Sequence, residues 1–246
     1  MDYNIAEQKG FRVLCYNFPM IKEVKKADIK LTATNDPFKD HRDEIEKFWE
    51  GFRKENPEAY SEQILNVFEI EERDQEYTLT AGLINFYESF YSRTTNMYKT
   101  RALFSGGYVI TSDGYYCVAA DQNTDINLIG GLASLLDIKG GRCDPELCLI
   151  REFKEEIGAD INGNEFSYNL RYIKIPTGDE IYFPVGLIYE VKTSLSKKEL
   201  EDVFSKNAHD NELGSLVFFE KDEKAVFENN TRRPYLNELF DMIFDR

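Results

Sequence analysis

The chain has 246 residues, of which 42% are apolar, so it is long enough to bury a substantial core and shows no sign of long disordered stretches. Its formal net charge of −15 excludes long nucleic acids as partners, because a polyanion would be repelled. A small phosphate compound remains compatible with this charge if metal ions and a few local cations neutralise it.

The four cysteines, Cys15, Cys117, Cys143 and Cys148, form neither a C-x-x-C pair nor a zinc-binding spacing. The first residues lack the basic and apolar segments of a signal peptide, and no apolar run approaches the length of a membrane span. We therefore expect a cytoplasmic protein with reduced thiols and no membrane partner.

The N-terminal part begins with two predicted strands, at residues 11–16 and 29–34. An amphipathic helix is predicted over residues 40–55, because apolar side chains recur there at helical spacing. Trp49, the only tryptophan in the chain, lies on this apolar stripe. We expect it to belong to the core rather than to act as a base-stacking platform.

A hairpin is predicted next, with strands at residues 63–73 and 76–80, followed by a short aromatic helix at 83–91. The polar residues after it suggest a boundary, which divides the chain into residues 1–98 and residues 99–246. The first part is a separate α+β domain, a dimerisation arm or a substrate lid, and a homodimer is one of the arrangements we expect.

The second part opens with a hairpin of strands at residues 102–111 and 115–120, closed by a Ser-Asp-Gly turn. A polar loop then leads to Gly130-Gly131 and to a helix that begins near Asp144-Pro145. The remaining predicted elements are strands at 166–175, 181–191 and 215–220 and helices at 197–205 and 236–244.

The helix after Asp144 carries its most informative residues in its last two turns. At about 100° per residue, Glu152, Glu155 and Glu156 share one narrow stripe, whereas the apolar residues lie on the other side. Crowded carboxylates repel one another, and a hard divalent cation such as Mg²⁺ or Mn²⁺ removes that repulsion. The alternative is a solvated acidic face, with ion pairs such as Arg151 to Glu155.

Residues 151–158, Arg-Glu-Phe-Lys-Glu-Glu-Ile-Gly, match the second half of the Nudix box at every specified position, so the chain resembles a Nudix hydrolase. The resemblance implies an α+β fold, an α/β/α sandwich around a mixed β-sheet, here with an N-terminal α+β extension. It also implies Mg²⁺- or Mn²⁺-dependent hydrolysis of a nucleoside diphosphate linked to another group. The overall layout is weakly similar to the branch that cleaves UDP-sugars.

The first half of the box departs from the family pattern. Asp137 stands where the family has a glycine, and Cys143 stands where it has a glutamate. We interpret Gly130-Gly131 as the start of the loop and Gly140-Gly141 as part of an insertion of about six residues, since loop length is cheap to change. Asp144 is a candidate substitute for the missing glutamate.

The resemblance implies roles for individual residues. Glu152, Glu155, Glu156 and the carbonyl of Gly131 would bind the metal, and Arg151 would orient one glutamate through a bidentate pair. The general base would be Glu152 or, from a later loop, Glu212.

Two arginines are candidates for contact with the substrate phosphates, Arg142 in the insertion and Arg101 at the start of a strand. Each is also compatible with a solvated loop position.

Because Cys143 replaces a family glutamate, a Nudix-like module that binds a nucleotide without cleaving it is the alternative function. We interpret Cys148 as a packing residue, not a nucleophile.

Overall fold

The structure is a computed structural model, and it describes residues 7–8, 11–12, 21–32, 37–95, 97–122, 125–176, 184–207, 213–221, 223 and 235–245. In this part of the chain there are fifteen strands and five α-helices. The strands are β1 (Glu7–Gln8), β2 (Phe11–Arg12), β3 (Ile21–Glu23), β4 (Lys26–Leu31), β5 (Gln63–Arg73), β6 (Glu76–Asn85), β7 (Leu103–Ile110), β8 (Tyr116–Asp121), β9 (Ile126–Asn127), β10 (Ile129–Leu132), β11 (Ile138–Lys139), β12 (Arg142–Cys143), β13 (Phe166–Lys174), β14 (Val185–Thr193) and β15 (Leu213–Phe219). The helices are α1 (Arg42–Glu55), α2 (Phe86–Thr95), α3 (Pro145–Ile157), α4 (Lys197–Asn207) and α5 (Tyr235–Phe244).

The main sheet has the strand order β15-β8-β7-β14-β13-β3, with β10 paired to β7 and β9 paired to β8. Strands β7 and β14 run parallel, and the other pairs in this sheet are antiparallel. The sheet is therefore mixed, as the sequence predicts.

Helices cover both faces of this sheet because its strands alternate apolar side chains between the two faces. On β14, Leu187 and Tyr189 belong to the cluster that contains α3, whereas Ile188 belongs to the cluster that contains α5. Helix α3 contributes Phe153 and Ile157 to its cluster, both fully buried. The α+β fold class, with helices on the two sides of a mixed sheet, is confirmed.

Helix α3 begins and ends where its sequence predicts. The Asp144 side chain accepts a hydrogen bond from the Glu146 backbone N–H, and Pro145 occupies the first turn. Gly158 adopts the left-handed conformation with φ of 73°, and its N–H caps the last turn. These caps fix the position of the glutamates near the C-terminus of the helix.

The N-terminal residues form a second, three-stranded sheet in the order β4-β6-β5, with α1 and α2 packed beside it. Strand β3 instead joins the main sheet next to β13, and Leu65 of β5 donates its backbone N–H to the Ala133 carbonyl. Buried side chains of β5 and β6 share one apolar cluster with α3. The division into residues 1–98 and 99–246 remains a prediction.

Some predicted bounds differ from the structure. The helix predicted at 83–91 is α2, which begins at Phe86 because β6 continues to Asn85 with buried side chains at alternating positions. It continues through the polar residues that suggested a domain boundary. The strand predicted at 11–16 lies largely outside the described residues. Among the described residues, no helix is long and apolar enough to cross a membrane.

Candidate active site

The C-terminal half of α3 packs against strand β10 and forms a surface that we call the carboxylate floor, made of Glu152, Glu155, Glu156, Gly130 and Gly131. The Gly130 N–H donates to Glu156 Oε2 at 2.8 Å. A Cβ atom at Gly131 would overlap the carboxylate of Glu152. Glycine at position 131 therefore leaves room for the Glu152 carboxylate on the floor.

Arg151 links two of the glutamates. Its Nη1 donates to Glu152 Oε1 at 2.6 Å and to Glu155 Oε2 at 3.1 Å, and its Nη2 donates to the Leu132 carbonyl at 3.2 Å. Desolvation acts to lower the pKa of Arg151, but the hydrogen bond to Asp137 and the charge of Glu152 outweigh it and raise that pKa. Arg151 is therefore a fixed positive charge beneath the floor.

The bidentate partner of Arg151 is Asp137, and the prediction that this partner is a glutamate is wrong. Arg151 Nε donates to Asp137 Oδ1 at 3.3 Å, and Nη2 donates to Oδ2 at 3.1 Å. The Asp137 side chain is 2% exposed. The same carboxylate accepts the Ser134 backbone N–H and completes a capping box, so both Arg151 and the turn depend on it.

Sequence reasoning noted Asp137 only as a departure from the family glycine. The signal that would have found its role is the spacing Ser134-x-x-Asp137, a capping-box pattern that predicts a buried, hydrogen-bonded carboxylate. The inserted segment folds back as the small hairpin of β11 and β12, whose turn residues Gly140 and Gly141 have φ of 57° and 76°. This hairpin begins directly after Asp137, and the Asp144 N–H that follows it donates to the Asp137 carbonyl at 3.0 Å.

The two thiols beside the floor are buried. Cys148 is fully buried and lies 3.6 Å from the Gly131 carbonyl, and burial raises the pKa of its thiol well above the usual range. Burial, reinforced by Asp137 and Asp144, raises the pKa of Cys143 to about 12. Neither thiol is ionised near neutral pH, so Cys148 packs and does not act as a nucleophile.

The structure does not bring the two predicted arginines to the floor. Arg142 is exposed in the β11–β12 hairpin, and Arg101 precedes β7, where its backbone N–H donates to Asn66 Oδ1 at 2.6 Å. Neither belongs to the described residues that line the cleft above the floor. Glu212, the alternative base, lies outside the described residues.

A cleft of about 1020 Å³ opens above the carboxylate floor, and its opposite side comes from the N-terminal residues. We call that side the aromatic wall and define it as Trp49, Phe52, Phe86 and Phe90. Trp49 stacks on Phe52 with centroids 5.4 Å apart and an angle of 19°, and Phe52 lies 4.7 Å from Phe90. The cleft therefore has one carboxylate side and one aromatic side.

The expectation that Trp49 belongs to the core is wrong. Trp49 and Phe52 are only partly buried and line the cleft, whereas Ile45 of the same helix is buried in the cluster beneath α1 and α2. Sequence reasoning also missed Arg93, which lines the cleft with its guanidinium 5.2 Å from the Phe90 ring centroid. In the sequence, Arg93 belongs to the polar segment at which a domain boundary was predicted.

Glu62 is a further residue that sequence reasoning missed, and it lines the cleft between wall and floor. Desolvation raises its pKa, and Asp137 and Glu155 raise it further, although Arg151 acts to lower it. Glu62 is therefore close enough to Asp137, Arg151 and Glu155 for their charges to act on it.

The floor was tested for its fit to a divalent cation. Glu152, Glu155, Glu156 and the Gly131 carbonyl offer only oxygen donors, which is the donor set that Mg²⁺ and Mn²⁺ prefer, so the chemistry fits. Within the described part of the chain, no three Asp, Glu, His or Cys side chains converge into a preformed metal cluster. Arg151 and the Gly130 N–H engage the glutamates instead. The metal site remains a prediction.

Comparisons with known proteins add little to this description. No family model matches the chain, and no curated protein is similar to it. The chain is similar to a solved structure of a hydrolase of the Nudix family from Clostridium perfringens, at 14% identity and a TM-score of 0.33, over 58% of this chain and 98% of that one. This likeness is too low to indicate a function, so the function is argued from the residues of the site.

Proposed function

We propose that the chain is a metal-dependent pyrophosphohydrolase that cleaves a nucleoside diphosphate linked to another group, of which a UDP-sugar is one example. The products would be a nucleoside monophosphate and a phosphorylated second group. The observation that supports this proposal is the packing of Glu152 against Gly131. It joins the acidic end of α3 to the glycine strand on one side of a single cleft.

In this proposal Glu152, Glu155, Glu156 and the Gly131 carbonyl would hold Mg²⁺ or Mn²⁺. The bound cation would neutralise the diphosphate oxygens and lower the pKa of a water molecule. Arg151 positions Glu152 and Glu155, since one of its nitrogens contacts both carboxylates. Glu152 would accept the proton of the attacking water, and Glu212 is the second candidate for that step.

The alternative is a module that binds a nucleotide without cleaving it. One observation favours it: Cys143, which stands at the family's glutamate position, is 7% exposed and its thiol stays protonated. Nothing at that position can act as a carboxylate ligand. The two functions share one cleft and differ in whether the floor supports hydrolysis.

The experiment that separates them measures phosphatase-coupled phosphate release with Mg²⁺ or Mn²⁺. The panel contains UDP-glucose, UDP-galactose, ADP-ribose, NADH, dinucleoside polyphosphates and nucleoside triphosphates. The matched variant is Glu156→Gln, which keeps the shape of the side chain and removes its charge. Metal-dependent turnover of one diphosphate class, lost in the variant, is the expected result. No turnover together with thermal stabilisation by a nucleotide would overturn the hydrolase and support the binding module.

A further inference from the structure

We propose that the aromatic wall binds the planar base of the nucleotide whose diphosphate lies on the carboxylate floor. This inference depends on the proposed function, because it names the part of the substrate that the opposite side of the same cleft recognises. The observation that supports this inference is that stacked aromatic rings and the acidic floor line the same cleft.

The four rings of the wall are partly buried, and the fold does not fully enclose any of them. Trp49 and Phe52 are partly buried, and Tyr60, which also lines the cleft, is 71% exposed. Apolar surface left in water costs about 25 cal/mol per Å², so a contiguous aromatic surface inside a cleft marks a binding surface. Ile45 and Tyr91 are buried members of the cluster beneath α1 and α2, and of the wall residues only Phe86 packs against that cluster.

The geometry of the wall suits a flat ligand. Trp49 lies nearly parallel to Phe52, and Tyr87 continues the stack with centroids 5.9 Å from Trp49 at 26°. Trp49 and Phe52 both line the cleft, and a nucleobase that stacks on a ring face exposed to the cleft gains about 1–3 kcal/mol. A phosphate or a polar linker gains nothing comparable there.

Charge and size favour the same occupant. The wall carries Arg93, whose guanidinium lies against the ring of Phe90, so positive charge and aromatic surface are combined there. The volume of about 1020 Å³ lies at the upper end of ligand sites, which run to about 1,000 Å³, and it exceeds what a sugar phosphate alone would fill. A complete nucleoside diphosphate with its linked group matches this space.

Trp49 makes the proposal directly measurable, because it is the only tryptophan in the chain and its fluorescence reports the wall alone. The full-length chain would be titrated in Mg²⁺ with UMP, AMP and ribose 5-phosphate, with excitation near 295 nm. None of these ligands contains an anhydride bond, so the titration measures binding without turnover. We expect saturable quenching by UMP or AMP and none by ribose 5-phosphate at equal concentration.

Two matched variants locate the contact. Phe52→Leu removes a ring that lines the cleft, and we expect it to raise the Kd of the nucleotide by about tenfold, the lower half of the range for loss of one stacking contact. Phe48→Leu removes a ring of the same helix that packs on Tyr91 and Phe90 but does not belong to the residues that line the cleft, and we expect the Kd to stay within about twofold. Melting curves show that each variant folds.

Equal quenching by ribose 5-phosphate, or an unchanged Kd in Phe52→Leu, would overturn the proposal. Dimer formation would also overturn it. In that case Trp49 emission would change with protein concentration, in parallel with dimer formation measured by sedimentation, and would not respond to nucleotide, because a second copy would cover the wall. Quenching without hydrolysis would support the base site and overturn the proposed hydrolase function. Hydrolysis without quenching would support the hydrolase function and overturn the base site.

Discussion

The carboxylate floor and the aromatic wall face each other across one cleft, but they are built in different ways. Directional polar bonds hold the floor: Arg151 reaches two glutamates and Asp137, and the Gly130 N–H reaches Glu156. Ring contacts hold the wall, which lies on α1 and α2 and packs through Phe86 against the apolar cluster of Ile45 and Tyr91.

The difference explains what each side is suited to do. Hydrogen-bonded carboxylates have fixed positions, which is what chemistry on a diphosphate requires, because a misplacement of about 1 Å can cost about a hundredfold in rate. Stacked rings tolerate small shifts and accept any flat ligand. If the proposed function is correct, the floor would hold the reacting diphosphate and the wall would recognise the base.

Gly131→Ala tests the floor most severely. The new methyl group would overlap the Glu152 carboxylate and displace it, so we expect kcat/KM for the diphosphate substrate to fall by about a hundredfold. The measurement is phosphate release with Mg²⁺. Full activity in this variant would show that the position of Glu152 is not required.

Gly51→Ala is the matched control for that substitution. Gly51 lies inside α1, and a Cβ there meets nothing within 4 Å. Alanine is favoured over glycine in a helix interior by about 1 kcal/mol, so the free energy of unfolding should rise while activity is unchanged. The pair of variants separates the effect of an added methyl group from the effect of its location.

Asp137→Asn tests whether the bonds of the floor depend on one buried carboxylate. The variant keeps the shape of the side chain but leaves Arg151 without its bidentate ionic partner, and we expect a loss of about 2–3 kcal/mol in the free energy of unfolding. Urea unfolding followed by circular dichroism measures it.

The control is Asp74→Asn, the same change in the pair of Arg73 and Asp74, whose side chains are 94% and 91% exposed and 4.0 Å apart. An exposed pair of this kind contributes about 0–1 kcal/mol, so its loss should be hard to detect. Equal effects of the two substitutions would mean that the Asp137 pair does not hold the floor.

The sequence predicted the floor well because its signals are local. The caps of α3 and the glutamates of its last turns lie within one helix, where periodicity determines which side chains share a face. Its pattern of buried residues is confirmed, since Leu149, Phe153 and Ile157 are fully buried. The glycine strand precedes the helix by fewer than thirty residues, although the family spacing places the glycine at Asp137 and the choice of Gly130-Gly131 depended on interpreting the residues between as an insertion.

The wall was missed because its signal is not local. Ile45, Phe48, Trp49 and Phe52 occupy one apolar stripe of α1. Helical periodicity predicts that other residues pack against this stripe. It does not predict which of its side chains lie in the core and which line a cleft. That distinction depends on where α2 and β10 lie, and both are distant in sequence. The role of Asp137 was missed for a different reason. Comparison with the Nudix pattern showed only that Asp137 stands where the family has a glycine.

Glu62→Gln is the smallest test and the one that connects the two sides. Since the pKa of Glu62 is raised in the folded protein, ionisation of this carboxyl costs folding free energy at neutral pH. Below the pKa of the unfolded chain both states are protonated, and the cost disappears. We expect Glu62→Gln to raise Tm by about 1 °C at pH 7 and to leave it unchanged at pH 3. Glu58→Gln, a second exposed glutamate that lines the same cleft, is the control and should change neither value. A rise in Tm that persists at pH 3 would assign the effect of Glu62→Gln to packing rather than to ionisation of the carboxyl.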